Sequence, residues 1–299
     1  MSEPSVPAVV ADASTRSWRG LTPARIAGGL IGVAGFILLG LAARETLATV
    51  PLPEVTVMMA ALLLLLAHYL VAAEAWRLIL ATSGTAAPRS RIWRAWILSS
   101  YGAYLPGKVW AYAGRVLLLR QEGVNLAPAS ASLVMETVLT IAAGGVWIIA
   151  AASDRPILAL VAACATLALL ALLAPRLAIT RSAGTPARAR GLFAGAFLLF
   201  LGAWALYGAG NLVLLNALFD LDPARLPQLT GWLAAAWIAG MAALIFPAGI
   251  GVADGLNAWF FSAVLPLEEA MAAAVVCRGA HLASHALLAL VLPLTRRRG

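Results

Sequence analysis

Two short runs set Pro-Gly breaks with charged and polar residues inside otherwise apolar sequence, and the first is ordered so that it could hold an anion. The first runs from Ser100 to Arg115: Ser-Tyr-Gly-Ala-Tyr-Leu-Pro-Gly-Lys-Val-Trp-Ala-Tyr-Ala-Gly-Arg. Proline withdraws a backbone donor and glycine loosens the chain, so Pro106-Gly107 ends one helix and lets another begin. Lys108, Tyr112 and Arg115 then share one face of the second helix. Its N-terminus offers unbonded N–H groups and the positive end of the helix dipole. Together these features make a phosphate cradle. The competing reading is that Lys108 and Arg115 only extend their charged ends to the interface.

The second run is Phe246-Pro247-Ala248-Gly249-Ile250-Gly251, with Asp254 three residues on. Asp254 either caps the helix after the break or pairs with a cation in a central cavity; the two roles are compatible. Glu136 lies inside an apolar segment with Ser132 and Thr140 on its face. Glu74 sits three residues before Arg77, the spacing of a local ion pair. Arg278, His281 and His285 form a stripe that either meets an anion, relays protons or bonds to a neighbouring helix. No His, Cys or carboxylate cluster has metal-ligand spacing, and no Walker A, GxSxG or HExxH motif occurs. Neither metal, cofactor, hydrolysis nor group transfer is expected, and the chain reads as a protein that is not an enzyme.

The elements that must position these residues are set by hydropathy. Of 299 residues, 62% are hydrophobic and 11% charged, and the mean hydropathy is +0.91. Soluble chains carry about 25% charged residues, so lipid is the main solvent here. Apolar stretches long enough to span, at about 20 residues each, are Ile26–Leu47, Val55–Leu80, Pro128–Ala152, Pro156–Pro175, Leu192–Phe219 and Glu269–Pro293. Two more, Ile92–Leu119 and Thr230–Leu265, are broken at the two Pro-Gly runs. Each arm of the first is about 18 Å long at 1.5 Å per residue, too short for a core of about 30 Å. A re-entrant hairpin is expected there; the second region is either a hairpin or two thin spans. Cys164 and Cys277 lie in apolar stretches and suggest no disulfide framework. The apolar run after residue 25 lacks a cleavage pattern and reads as a retained helix.

Charge orders these segments. The net charge of +8 comes largely from short arginine clusters between spans, which argues for membrane anchoring rather than nucleic-acid binding. If both broken regions return to the side they entered, the N-terminus, 81–94, 120–127, 176–190 and the C-terminus lie inside with nearly all the clusters. A single crossing by the first would move the cluster from Arg176 to Arg190 outside, against the positive-inside rule. The expected fold is therefore all-α and polytopic, with six full spans and two broken re-entrant hairpins. It divides into a cytoplasmic tail (1–25), one transmembrane domain (26–293) of two inverted repeats (26–152 and 156–293), and a basic tail (294–299). Inverted halves with matching broken helices point to a transporter's binding site.

Tyr104-Leu105-Pro106-Gly107-Lys108-Val109-Trp110, with Gly114-Arg115 and Glu122-Gly123-Val124 beyond, resembles the first signature of the lysylphosphatidylglycerol synthase transmembrane-region family. Glu136 matches the glutamate carried in that family's next helix. Pro247-Ala248-Gly249-Ile250-Gly251-Val252-Ala253-Asp254 resembles its second signature. The resemblance covers nearly the whole chain in order and spacing. Many members have arginine and then Gly-Glu after the first Pro-Gly, so a role for that glutamate does not transfer here. The second signature commonly ends in Glu where this chain has Asp254. The better-known fusions add a soluble aminoacyltransferase domain, so this chain is expected to lack lysyl transfer.

The resemblance implies translocation of a lipid between leaflets of the cytoplasmic (inner) membrane, and the charge distribution above puts both termini on the cytoplasmic side. The substrate would be an anionic or aminoacylated phospholipid or a polyprenyl-phosphate-linked saccharide. Candidate binding residues are Tyr104, Pro106, Gly107, Lys108, Tyr112, Arg115, Glu136, Pro247, Gly249, Gly251, Asp254, Arg278 and His281. Expected partners are membrane lipids, a glycosyltransferase or aminoacyltransferase, and a second copy of the chain; nucleic acid is not. Two other readings stand beside this one: a membrane scaffold assisting a separate transferase, and a secondary transporter of small solutes or ions.

Overall fold

A computed structural model describes residues 23–85, 87–104, 109–153, 156–173, 185–243, 246 and 249–290. Among these the chain is all-helical, with eleven α-helices. In order they are α1 (Pro23–Ala42), α2 (Arg44–Thr49), α3 (Val55–Ala81), α4 (Arg89–Ser100), α5 (Val109–Gln121) and α6 (Leu126–Ala152). The remainder are α7 (Pro156–Leu173), α8 (Pro186–Phe219), α9 (Leu226–Ala242), α10 (Val252–Phe261) and α11 (Leu267–Leu288). Among the described residues α3, α6, α8 and α11 are long and apolar enough to cross a membrane. The apolar stretches Val33–Ala42 of α1 and Ile157–Leu173 of α7 are shorter. The protein is a polytopic membrane protein.

Local chemistry sets the helix ends. α4 begins directly after Pro88 and passes into a 3-10 turn at Tyr101–Tyr104. α5 closes on Gly123 at φ +80°, where Val124 N–H reaches Leu119 O and Gly123 N–H reaches Arg120 O, the paired bonds of a Schellman cap. Thr185 caps α8 by accepting the N–H of Arg188. α8 ends on Asp220, held left-handed at φ 50°. Gly249 and Gly251, at φ +68° and +85°, turn the chain into α10, a conformation that a side chain at either position would strain.

Packing rests on small residues that let backbones close in, as in other membrane helices. α3 and α8 lie along each other; a Cβ on Gly210 would fall 2.8 Å from Leu65 Cγ. α6 and α9 are as close, since a Cβ on Gly231 would fall 2.4 Å from the Trp147 carbonyl. The two short pairs fold back on themselves: α4 packs on α5, and α9 packs on α10. A Cβ on Gly102 would meet Ala111 N at 2.7 Å, and one on Gly249 would meet Gly240 Cα at 3.0 Å. Large apolar side chains such as Leu52, Leu63 and Leu172 are exposed, while Arg115, Asp254 and His285 are buried. The bundle is apolar outside and locally polar within.

Candidate functional site

The short helices deliver their polar residues to one central cavity of about 270 Å³. α3, α6, α8 and α11 wall it, and α4, α5, α9, α10 and the 3-10 turn contribute from the two folded-back pairs. Among the sequence candidates, Tyr104, Tyr112, Arg115, Glu136, Asp254, Arg278 and His281 line it. Gly249 and Gly251 act through the backbone turn instead. Pro106, Gly107, Lys108 and Pro247 lie outside the described residues.

Two buried ion pairs flank the cavity. Arg115 pairs through Nη1 with Glu136 Oε2, and its Nε donates to Ser99 Oγ at 2.9 Å. Its guanidinium lies 5.0 Å from the Trp76 ring and 5.3 Å from the Trp96 ring, within range of cation–π attraction. The other carboxylate oxygen, Glu136 Oε1, accepts from Trp96 Nε1 at 2.8 Å. The free cationic cradle expected around Arg115 is thus an internal ion pair, because a guanidinium this deep needs a counter-charge.

At the second pair Arg278 Nε donates to Asp254 Oδ1 at 2.7 Å, while Asp254 Oδ2 accepts the N–H of Gly251 at 2.9 Å. Asp254 therefore fills both roles expected of it. Each pair ties the second helix of a folded-back pair to the long helix after it: α5 to α6 and α10 to α11. The signs are exchanged, with the cation on the short helix in one case and the anion in the other.

Between the pairs lies an aromatic and imidazole network. His285 is stacked between Tyr69 and Tyr101, at centroid distances of 4.9 and 4.7 Å. Its Nδ1 is 2.7 Å from the Tyr104 hydroxyl and its Nε2 is 2.8 Å from Ser100 Oγ. Ser100 donates its proton to Ile97 O at 2.7 Å, so His285 Nε2–H donates to Ser100 while Tyr104 donates to Nδ1. The serine proton is committed to a carbonyl, which argues against a nucleophile–base pair. His281 lies beside the Tyr69 hydroxyl, and His68 Nδ1 donates to Ala203 O at 2.8 Å. The α11 stripe thus bonds to its neighbours. Glu74 and Arg77 form the expected local pair, and Arg89 and Trp93 also donate to Glu74, fastening α4 to α3.

Sequence reasoning passed over His68, Tyr69, Trp96, Trp204, Tyr207, Trp237 and Asn257, which also line the cavity. The signal for some was present: His68-Tyr69 interrupts an aliphatic run in the middle of a span, where a polar tip needs a partner. Trp96, Trp204 and Trp237 carried none, because tryptophan is equally at home facing lipid.

Short helices folded back into a bundle of long apolar ones, around a cavity holding paired charges, define a multi-pass membrane protein with an intramembrane polar site. The family profile described as lysylphosphatidylglycerol synthase TM region matches residues 25–289. The chain belongs to that family. No curated protein and no solved structure matches it.

Proposed function

We propose that this protein moves a lipid headgroup between the leaflets of the cytoplasmic membrane, as a transporter rather than an enzyme. The observation that carries this reading is the central cavity, which holds two buried ion pairs in a bundle whose outer surface is apolar. A headgroup stripped of water needs such a path, and paired charges supply polarity without a net charge to trap it.

The packing supports two inverted halves. Exchanging α1, α3, α4, α5 and α6 for α7, α8, α9, α10 and α11 maps most contacts onto one another. α6 on α8 answers α11 on α3, and α6 on α7 answers α11 on α1. α6 also packs along α9, with no comparable packing of α11 along α4 among the described residues. That asymmetry is what alternating access expects, one half closed while the other is open. In this reading α4–α5 and α9–α10 are re-entrant hairpins from opposite sides, and α1 and α7 complete six spans. Both termini are cytoplasmic, and Lys108, directly after the first Pro-Gly break in the sequence, takes a phosphate.

Proteoliposomes carrying fluorescent lipids test this, with a membrane-impermeant quencher reporting the accessible head groups. The purified protein should raise the quenched fraction above that of empty liposomes. Arg115→Lys and Arg278→Lys, which keep charge but lose the fork geometry, should slow exchange by about tenfold, a loss typical of a charge-assisted hydrogen bond. No translocation by purified protein over a panel of lipids would sink the reading and favour a scaffold that needs its partner transferase.

A further inference from the structure

The bonding state of each group in the cavity narrows what the cavity accepts. All four carboxylate oxygens are engaged: Glu136 by Trp96 and Arg115, Asp254 by Arg278 and the Gly251 N–H. A cationic head would enter beside two arginines with no free carboxylate to receive it. An anionic head would meet arginines whose charge is already balanced. Among the described residues of the cavity one strong acceptor is unused, Asn257 Oδ1, which is buried without a hydrogen-bond partner there on a residue only 8% exposed. Asn257 lies one turn beyond Asp254 on α10 and is one of the residues lining the cavity. Nearby, Arg278 spends its Nε on Asp254, and among the described residues no acceptor takes its outer N–H groups. The α10–α11 wall therefore holds an unpartnered acceptor on α10 and, on α11, donors with no partner among the described residues.

We infer that the cavity is a receptor for an uncharged, polyhydroxylated headgroup, a vicinal diol as found in a glycosyl or glycerol head. A hydroxyl both donates and accepts, so adjacent hydroxyls satisfy Asn257 Oδ1 and the Arg278 N–H groups together. Leaving Asn257 unpaired in an apolar bundle is unfavourable, so the site selects for a donor. Tyr207, Trp204 and Trp237 also line the cavity, with Trp204 in edge-to-face contact with each of the other two, and apolar C–H faces of a sugar stack on aromatic rings. The inference rests on the reading that the cavity holds a lipid headgroup.

The test is equilibrium binding, without translocation, to the full-length protein in phosphatidylcholine nanodiscs. The probes share one octyl chain: octyl glucoside, octyl glycerol, octylammonium and octyl phosphate. Octyl glucoside or octyl glycerol should bind saturably above empty nanodiscs and about tenfold tighter than either charged probe. The better of the two tells sugar from glycerol. Asn257→Ala should weaken the preferred probe by about five- to tenfold, the loss of one buried hydrogen bond. Charged probes binding as tightly, no saturable binding, or an unchanged affinity in folded Asn257→Ala would each overturn the inference. If that variant does not fold, the headgroup ranking of the unmodified protein decides alone. Diol binding without lipid movement would fail the proposed function and leave this inference standing; lipid movement with a charged preference would do the reverse.

Discussion

Arg115 is held at once by a carboxylate, a hydroxyl and two indole rings. Removing one member of such a pair leaves a buried charge uncompensated, at a cost of about 3–5 kcal/mol. Arg115→Met and Glu136→Met should each lower the thermal unfolding midpoint of the detergent-purified protein, and the double variant should lose less than either single one. A double variant less stable than both would show that the pair is not the main tie at this position. Both charges were legible in the sequence, since an ionised residue within a span is conspicuous. Their pairing was not. The faces that meet depend on how α4 folds back on α5, and Ser99 and Trp96 reach Arg115 and Glu136 only through that fold. Asp254 was more legible because one of its roles, bonding the Gly251 N–H, is local to its own helix start.

Among the helices, glycines separate into those that permit close approach and those that only interrupt. A Cβ on Gly231 would fall 2.4 Å from both the Trp147 carbonyl and Ala151 Cβ, whereas one on Gly145 meets nothing within 4 Å. Gly231→Ala should push α9 off α6 and cost about 1–3 kcal/mol through overpacking. Gly145→Ala, inside α6, should be neutral or stabilise by about 0.5–1 kcal/mol through the restricted unfolded chain. Thermal melting of the two variants side by side checks both. Helix limits were the most legible feature of this sequence. The apolar run read at 55–80 is α3 (Val55–Ala81), and that read at 128–152 is α6 (Leu126–Ala152). The run read at 192–219 extends six residues earlier in α8, because Pro186 and Thr185 supply a helix start outside the apolar stretch. Over 34 residues α8 is about 51 Å long, so it tilts or projects beyond a core of about 30 Å.

For the whole molecule, orientation follows from arginine. In a background with Cys164 and Cys277 replaced by Ala, Ser90→Cys should react with an impermeant maleimide only after the cell membrane is opened. Asp222→Cys should react from outside. The opposite pattern would invert the arrangement proposed above. The cavity itself was not legible, because it is made by residues on eight helices whose common centre no local pattern encodes.

The exchange of signs between the two ion pairs has an electrical consequence. Rotating a polar pair by half a turn about an axis in the membrane plane reverses its component along the membrane normal, so two identical pairs in inverted halves would cancel. Swapping cation and anion in one of them undoes the reversal, and the two components add. In the proposed arrangement the core thus has a net polarity across the bilayer. Voltage acts on any change of it between the two open states, with about 2.3 kcal/mol per elementary charge moved across 100 mV as the upper bound. Lipid movement in vesicles holding a potassium diffusion potential should accordingly speed up for one polarity and slow for the other.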